Sequence, residues 1–328
     1  MKVTFKILRS QPNFPPKFQF YTLEVERGNT ILECLNRIKW EMDGTLAFRK
    51  NCRNTICGSC AMKINGRAAL ACKENVGGEL EKLGFTEGEK PPVFEICPLN
   101  NLPVLKDLVV DMDNFWQDLE KIEPYVVTDK IQTPEREFLQ TPEERKLLND
   151  TSNCIMCGAC YSECNAKEVN PLFVGPHALA KSYRLLVDSR DNITENRLEK
   201  YNELAGVWGC TRCYFCNEVC PMGVAPLTQI TKIKQLILQK KDANSYAPTR
   251  HRKVLVEMVK QGGWIDERRF AITVVSNYFR DLKALLGIIP LGLRMILAGK
   301  FPFTFHPSQG VSQIKALIQE IQRQTHGI

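Results

Sequence analysis

The grouping of the cysteines is the feature that most constrains this chain. Fourteen cysteines occur in 328 residues, and twelve of them fall in three tight groups. A chain of this length, 44% hydrophobic and 25% charged, can bury a core without a disulfide framework. Its first residues, MKVTFKILRSQPNF, lack the apolar core of a secretory signal peptide. The grouping therefore predicts thiolates that bind metal in a reducing compartment.

The first group predicts a 2Fe-2S cluster of the plant type. In that spacing one loop wraps the cluster and a later strand supplies the last ligand. Gly58 and Ser59 are small, so backbone N–H groups can approach the cluster sulfurs. A zinc site is the alternative, but zinc ribbons favour paired CxxC knuckles. The predicted ligands are separated by four, two and eleven residues: Cys52, Cys57, Cys60 and Cys72.

The second and third groups, CIMCGACYSEC and CTRCYFCNEVCP, share the spacing CxxCxxCxxxC. This is a duplication of the bacterial ferredoxin run, in which three cysteines bind one 4Fe-4S cube and the fourth crosses to the other. The first cube is predicted to be bound by Cys154, Cys157, Cys160 and Cys220. The second cube, which is the third cluster of the chain, is predicted to be bound by Cys164, Cys210, Cys213 and Cys216. A free thiol at Cys213 is the alternative, and it would leave a 3Fe-4S cluster.

Apolar periodicity predicts an α+β fold. VTFKIL and FQFYTLEVE alternate at period two around the turn SQPNFPPK, and a helix capped by Asn29 or Thr30 follows them. AMKING, AALAC and VFEICPL complete the predicted sheet. From Asp107 onward the spacing is helical, beginning with LKDLVVDMDNFWQDLEKI, and Thr141 is a predicted N-cap.

These patterns predict three regions. Residues 1–106 form a β-grasp 2Fe-2S ferredoxin domain, and residues 107–240 form an all-α ferredoxin domain with two cubes. Residues 241–328 form a basic helical extension for docking to a partner or a membrane. No run of eighteen apolar residues is free of charge, so no segment is expected to span a bilayer.

The formal charge of +7 is concentrated near the C-terminus. Residues 230–328 contain 16 Lys and Arg against 6 Asp and Glu, or +10, which leaves −3 for the rest. The basic residues are dispersed singly and no stripe of aromatic and basic residues occurs, so nucleic acid is not an expected partner. The apolar stretch from Ala284 to Leu293 is too short to span a membrane but suits an interface. An ordinary helix packed on its own domain is the alternative.

Residues 1 to about 240 resemble the iron-sulfur subunit of succinate dehydrogenases and fumarate reductases. Beyond the cysteines, the resemblance rests on LPVLKDLVVDM, NPLFVGPHAL and YRLLVDSRD. It implies an oxidoreductase subunit that relays electrons from an FAD-containing flavoprotein subunit through a 2Fe-2S cluster and two cubes toward quinone. Succinate chemistry would take place in the flavoprotein, and no catalytic residue is predicted in this chain. The same relay run as a fumarate reductase, with a thiol or another low-potential donor, is the alternative.

Two departures from the familiar members indicate a particular branch of that family. Those members have a 3Fe-4S third cluster and a non-ligand where this chain has Cys213. They also carry quinone-contacting residues at positions occupied here by Asn165-Ala166, Val169 and Thr211. Both departures resemble the branch whose partner is a cysteine-rich subunit like those of heterodisulfide reductases. The resemblance implies a cysteine-rich or membrane-anchor partner, quinone near the third cluster, and a peripheral position on the cytoplasmic side of the membrane.

Overall fold

A computed structural model of the chain describes residues 1–11, 14–86, 91–128, 137–239 and 247–326. The chain divides into two compact units, Met1–Leu236 and Ile237–Ile328. The larger unit contains both the sheet and the helices that carry the cysteines, and the smaller unit is helical. The predicted α+β fold class is confirmed.

A mixed five-stranded sheet in the order β2-β1-β5-β3-β4 begins the larger unit. The pairing of β1 with β5 is parallel, and the other three pairings are antiparallel. The predicted hairpin is present, but Pro15 and Pro16, expected in its turn, lie in β2. Because β2 is an edge strand, prolines cost few ladder hydrogen bonds there. The strands are β1 Lys2–Gln11, β2 Phe14–Glu24, β3 Ala61–Ile64, β4 Arg67–Leu70 and β5 Val93–Cys97.

Alternate residues of β1 form the core of the sheet. Val3, Phe5 and Ile7 are fully buried, as period-two alternation requires, and Phe5 packs edge-on against Phe94 with ring centroids 5.7 Å apart. The predicted cap of the first helix is Thr30, whose side chain accepts a hydrogen bond from the N–H of Glu33 in a capping box. The helices beside the sheet are α1 Ile31–Arg37, which continues in a π-helical turn at Ile38–Met42, and α2 Val76–Lys82.

The prediction of a helix beginning near Asp107 is wrong for the first residues of that segment. A short hairpin of β6 Val104–Lys106 and β7 Val109–Val110 comes first, and α3 spans Asp113–Glu120. Asp107 has a φ of 50° and is buried, and its carboxylate accepts hydrogen bonds from the N–H groups of Ser10 and Ala47. These tertiary hydrogen bonds outweigh the local helical pattern.

Among the described residues, eight helices follow the sheet in the larger unit, and the last two cysteine groups lie in and between them. Thr141 caps α4 in a capping box with Glu144, as predicted. The helices are α3, α4 Pro142–Ser152, α5 Ala159–Ser162, α6 Asn165–Val169, α7 Gly175–Leu186, α8 Thr194–Tyr201, α9 Phe215–Glu218 and α10 Pro226–Gln239, which runs into the smaller unit.

The smaller unit consists of helices, and its longest described connection follows the third of them. Trp264 donates its indole N–H to the carbonyl of His306 at 2.7 Å, and Arg268 donates to the carbonyl of Phe303 at the same distance. These bonds tie the segment after the third helix to the connection after the first helix and to the start of the second. The helices are α11 Ala247–Gly262, α12 Glu267–Val275, α13 Leu282–Leu297 and α14 Val311–His326.

Candidate iron-sulfur sites

The loop after the first helix turns its backbone N–H groups toward thiol sulfurs. Asn54, Ile56 and Cys57 donate to Cys52 Sγ at 3.3–3.4 Å, and Thr55 donates to Cys72 Sγ at 3.3 Å. Positive φ angles at Arg53, Thr55 and Gly58 produce this curvature. Donors aimed at sulfur stabilise a thiolate and tune a bound cluster. The loop carries Cys52, Cys57 and Cys60, and the turn after β4 brings Cys72 beside them.

The thiols of this loop differ in acidity. Burial raises the pKa of Cys57, but hydrogen bonds with Ser59 and Cys52 outweigh it and lower that pKa to about 6. Burial raises the pKa of Cys60 to about 12. A cation near Cys60 would offset that cost, because a bound metal stabilises the thiolate directly. The donor set therefore fits an iron-sulfur cluster.

The two duplicated runs adopt the same backbone conformation. Met156 and Arg212, the residues before the second cysteine of each run, have φ angles of 55° and 61°. Gly158 and Tyr214, the residues after it, have φ angles of 82° and 76°. Each run then enters a four-residue helix, α5 or α9. The duplication seen in the sequence is thus a duplication in structure.

The two fourth cysteines exchange between the runs. One cavity, the first thiol cavity, is also lined by Met156, His177 and Pro221; its thiols are Cys154, Cys157, Cys160 and Cys220. A second cavity, the second thiol cavity, is also lined by Phe173, Thr211 and Tyr214; its thiols are Cys164, Cys210, Cys213 and Cys216. The structure therefore groups the eight cysteines in the two sets expected from the sequence.

Electrostatics links the thiols of each cavity. Burial raises the pKa of Cys160 well above its ordinary value, and the neighbouring thiols, including Cys216, raise it further. Burial likewise raises the pKa of Cys164 to about 11 and that of Cys216 to about 12, with contributions from Cys210 and Cys213. Four crowded acidic groups can ionise together only beside a cation, so these sets fit clusters that contain iron.

The described residues bring no three Cys, His, Asp or Glu side chains close enough to hold a single metal ion. The thiols instead surround cavities, as is needed when several irons and sulfides separate the ligands. The sets at the first loop and at the two thiol cavities suit 2Fe-2S and 4Fe-4S groups. The assignment of individual cysteines as ligands remains a prediction. Among the predicted ligands, Cys213 has an exposed side chain.

The first loop lies directly against the first duplicated run. A Cβ atom at Gly58 would lie 2.8 Å from Cys157 Cβ and 3.1 Å from the carbonyl oxygen of Ile155. Cys72, Ile155 and Cys157 all pack against the buried core of the sheet. The Lys73 ammonium donates to the carbonyl of Pro221 at 3.0 Å. The sheet and the first thiol cavity are thus packed together, and the first two cysteine sites are adjacent.

Tyr214 is a site residue that the sequence analysis did not identify. It lines the second thiol cavity, follows Cys213, and holds a left-handed backbone that is unfavourable for a bulky residue. Its side chain is half exposed. Alignment of the two cysteine runs in the sequence places Tyr214 opposite Gly158, and a glycine adopts the left-handed conformation without strain.

Comparison with known proteins agrees with these sites. Residues 4–117 match the model of a 2Fe-2S iron-sulfur cluster binding domain, and residues 150–224 match that of a 4Fe-4S dicluster domain. A chain of the Mycobacterium smegmatis Sdh1 complex in the apo form is similar with a TM-score of 0.65 and 25% identity, over 73% of this chain and 97% of that one. The chain therefore contains both kinds of cluster-binding domain, and it resembles the iron-sulfur subunit of a succinate dehydrogenase.

The two family matches confirm the predicted 2Fe-2S and 4Fe-4S cofactors. A hypothetical protein from Helicobacter pylori also matches, with a TM-score of 0.49 and 16% identity, over 78% of this chain and 43% of that one. Within the described residues, no helix combines the length and apolar character needed to cross a bilayer.

Proposed function

We propose that this chain is the electron-transfer subunit of a succinate:quinone oxidoreductase, between an FAD-containing flavoprotein subunit and a quinone acceptor. The contact of Gly58 with Cys157 carries the proposal, since it places the first cysteine loop against the second site. The packing of α5, which carries Cys160, against α9, which carries Cys216, then joins the two thiol cavities. Bound at these three sites, iron-sulfur clusters supply carriers of single electrons.

The first loop is the proposed docking side for the flavoprotein. Ile56, whose backbone N–H donates to Cys52 Sγ, is 63% exposed. Trp40, at the end of the preceding helical segment, is 65% exposed, and the Lys50 ammonium lies 4.7 Å from its ring centroid. Exposed aromatic and aliphatic side chains of this kind serve as interface anchors. The chain itself contributes binding and insulation, and substrate chemistry is assigned to the flavoprotein.

The second thiol cavity is the proposed side for the acceptor. Cys213 is exposed there, whereas Cys216 is buried. Exposed apolar side chains occur on the cavity wall, in or beside α6 and α9, and after α8: Val169, Leu172, Leu204, Tyr214 and Phe215. A surface with these features fits a cysteine-rich or membrane-anchor partner subunit, with quinone near the third cluster.

A fumarate reductase driven by thiols or another low-potential donor is the second candidate. It is favoured by the residues at the positions of the usual quinone contacts, because Ala166, Val169 and Thr211 offer few hydrogen bonds to a quinone. A fourth thiolate at Cys213 also favours it, since added negative charge lowers a cluster's reduction potential. The two candidates share the same chain of carriers and differ in direction.

The test is isolation of the complex through an affinity tag on this chain, under anaerobic conditions. We expect a flavoprotein and a cysteine-rich or membrane-anchor subunit to co-purify, with iron and acid-labile sulfide in stoichiometric amounts. Succinate should produce the EPR signals of reduced clusters, and quinone should oxidise them. Faster reduction of fumarate by thiols would select the second candidate. Recovery of the chain without a flavoprotein, or with zinc instead of iron, would contradict both.

A cysteine variant tests the proposed order in which electrons pass through the three clusters. In Cys57→Ser the first cluster should be lost, so succinate should no longer reduce the cubes, although dithionite still does. Cys97→Ser is the matched control, because Cys97 is a half-buried strand cysteine outside the three groups. Unchanged reduction of the cubes by succinate in Cys57→Ser would contradict the proposed order.

A further inference from the structure

The helix α13 presents a continuous aliphatic stripe to solvent. At about 100° per residue, six of its side chains fall within an arc of about 100°. All six are between 46% and 87% exposed: Leu282, Leu286, Ile289, Leu293, Ile296 and Leu297. No side chain of this helix is fully buried. Such a stripe is far too apolar to be an ordinary solvated face.

The other faces of α13 have different roles. One face is partly buried and includes Leu285 and Ile288, so the helix rests on its own unit through that side. Lys283 and Arg294 lie side by side about 100° from the centre of the stripe. The helix contains no acidic residue, and Asp281 before it accepts a hydrogen bond from the N–H of Ala284 as the N-cap.

Length and end residues fit a helix that lies in a membrane surface. Sixteen residues make a helix of about 24 Å, which is shorter than the roughly 30 Å of a bilayer core. Aromatic side chains stand exposed before and after it, with Tyr278 at 55%, Phe279 at 63% and Phe303 at 67%. Aromatic rings and long basic side chains at the edge of an apolar stripe settle at the headgroup level.

We propose that α13 binds in the plane of an anionic lipid surface, with the stripe among the acyl chains and Lys283 and Arg294 at the phosphates. Lipid is favoured over a protein partner because all six side chains of the stripe are aliphatic, and none can make a directional hydrogen bond. The charge of +10 on residues 230–328 complements acidic headgroups. This site belongs to the smaller unit, whose sequence contains no cysteine, and it does not depend on the redox partner.

The test uses the full chain with its clusters and flotation on vesicles of phosphatidylcholine with or without phosphatidylglycerol. We expect binding to the anionic vesicles that weakens with salt. The double variant Leu286→Glu, Leu293→Glu should bind at least about tenfold more weakly. Leu291→Glu is the matched control, since Leu291 is 60% exposed but lies about 170° from the centre of the stripe. It should bind within about twofold of the unaltered chain, by the same reasoning.

Two further experiments test the role of the basic residues and provide a second measurement of stripe insertion. Lys283→Gln with Arg294→Gln should remove the preference for phosphatidylglycerol, whereas Lys315→Gln with Arg323→Gln, on exposed positions of α14, should keep it. If the glutamate variant does not fold, Ile289→Trp provides an independent readout, because brominated lipid should quench it more strongly than Leu291→Trp. Absence of vesicle binding, equal loss in the Leu291→Glu control, or loss of a co-purifying subunit without loss of vesicle binding would overturn the proposal.

Discussion

Gly58 of the first cysteine loop lies against Cys157 of the first duplicated run, 99 positions later in the chain. A methyl group on Gly58 would lie 2.8 Å from Cys157 Cβ and 2.9 Å from its Cα. The added methyl group would clash with Cα and Cβ of Cys157. These atoms are fixed to the backbone of the first duplicated run, so they cannot move aside as the end of a flexible side chain could. Glycine at this position therefore allows the two loops to approach as closely as they do.

Gly58→Ala should lower the free energy of unfolding by about 2–4 kcal/mol, because it adds a steric clash to the cost of a left-handed backbone. Gly66→Ala is the control, since Gly66 also has a positive φ, 85°, but no atom within 4 Å of the added methyl group. It should cost only about 1–2 kcal/mol. Denaturant unfolding measures both. Equal effects of the two variants would show that the contact with Cys157 does not constrain the loop.

Cys213→Ser should convert the third cluster to a 3Fe-4S cluster. Loss of one thiolate should release one iron, raise the reduction potential and create an EPR signal in the oxidised protein. Iron analysis and EPR of anaerobically purified protein check this, with Cys97→Ser as the control that should leave both unchanged. An abundant 3Fe-4S signal in the unaltered protein would defeat the assignment of Cys213 as a ligand.

Arg197→Ala should destabilise the helical part of the larger unit by about 3–5 kcal/mol, since it leaves Asp191 buried without its partner. Arg197 is 1% exposed, donates to Asp191 Oδ2 at 2.8 Å, and donates to the carbonyl of Tyr125 at 2.7 Å. In the same helix Lys200→Ala breaks a half-exposed pair with Glu123, and it should cost less than about 1 kcal/mol. Chemical denaturation compares the two, and similar losses would contradict a special role for the buried pair.

Stability should fall at high pH through Tyr21. Burial and the hydrogen bond to Asp43, 2.6 Å long, raise the pKa of Tyr21 from 10.0 to about 12. The neutral phenol therefore stabilises the fold fully below pH 10, and this contribution is lost between about pH 10 and 12. The slope due to this group is at most about 1.4 kcal/mol per pH unit. Tyr21→Phe should show a flatter decline in unfolding free energy over that range, and an unchanged decline would refute the linkage.

The sequence by itself determined the parts that depend on local spacing. Cysteine spacing identified the three groups and the exchange of Cys164 and Cys220, because ligand loops are short and their geometry follows from the chain. Alternation in β1 and the capping residues Thr30 and Thr141 identified the sheet and two helix starts. The fold class and the cofactor types follow from these features alone.

Only the tertiary structure decided the features that depend on distant contacts. The burial of Asp107 by Ser10 and Ala47 replaced a predicted helix with a hairpin, since no local pattern encodes those partners. The approach of Gly58 to Cys157 and the left-handed Tyr214 were likewise invisible in the spacing. The physical reason is that periodicity shows which side of a helix or strand is apolar, whereas tertiary packing decides which residues contact that side. On α13, no side chain is fully buried, and the apolar stripe stays exposed to solvent.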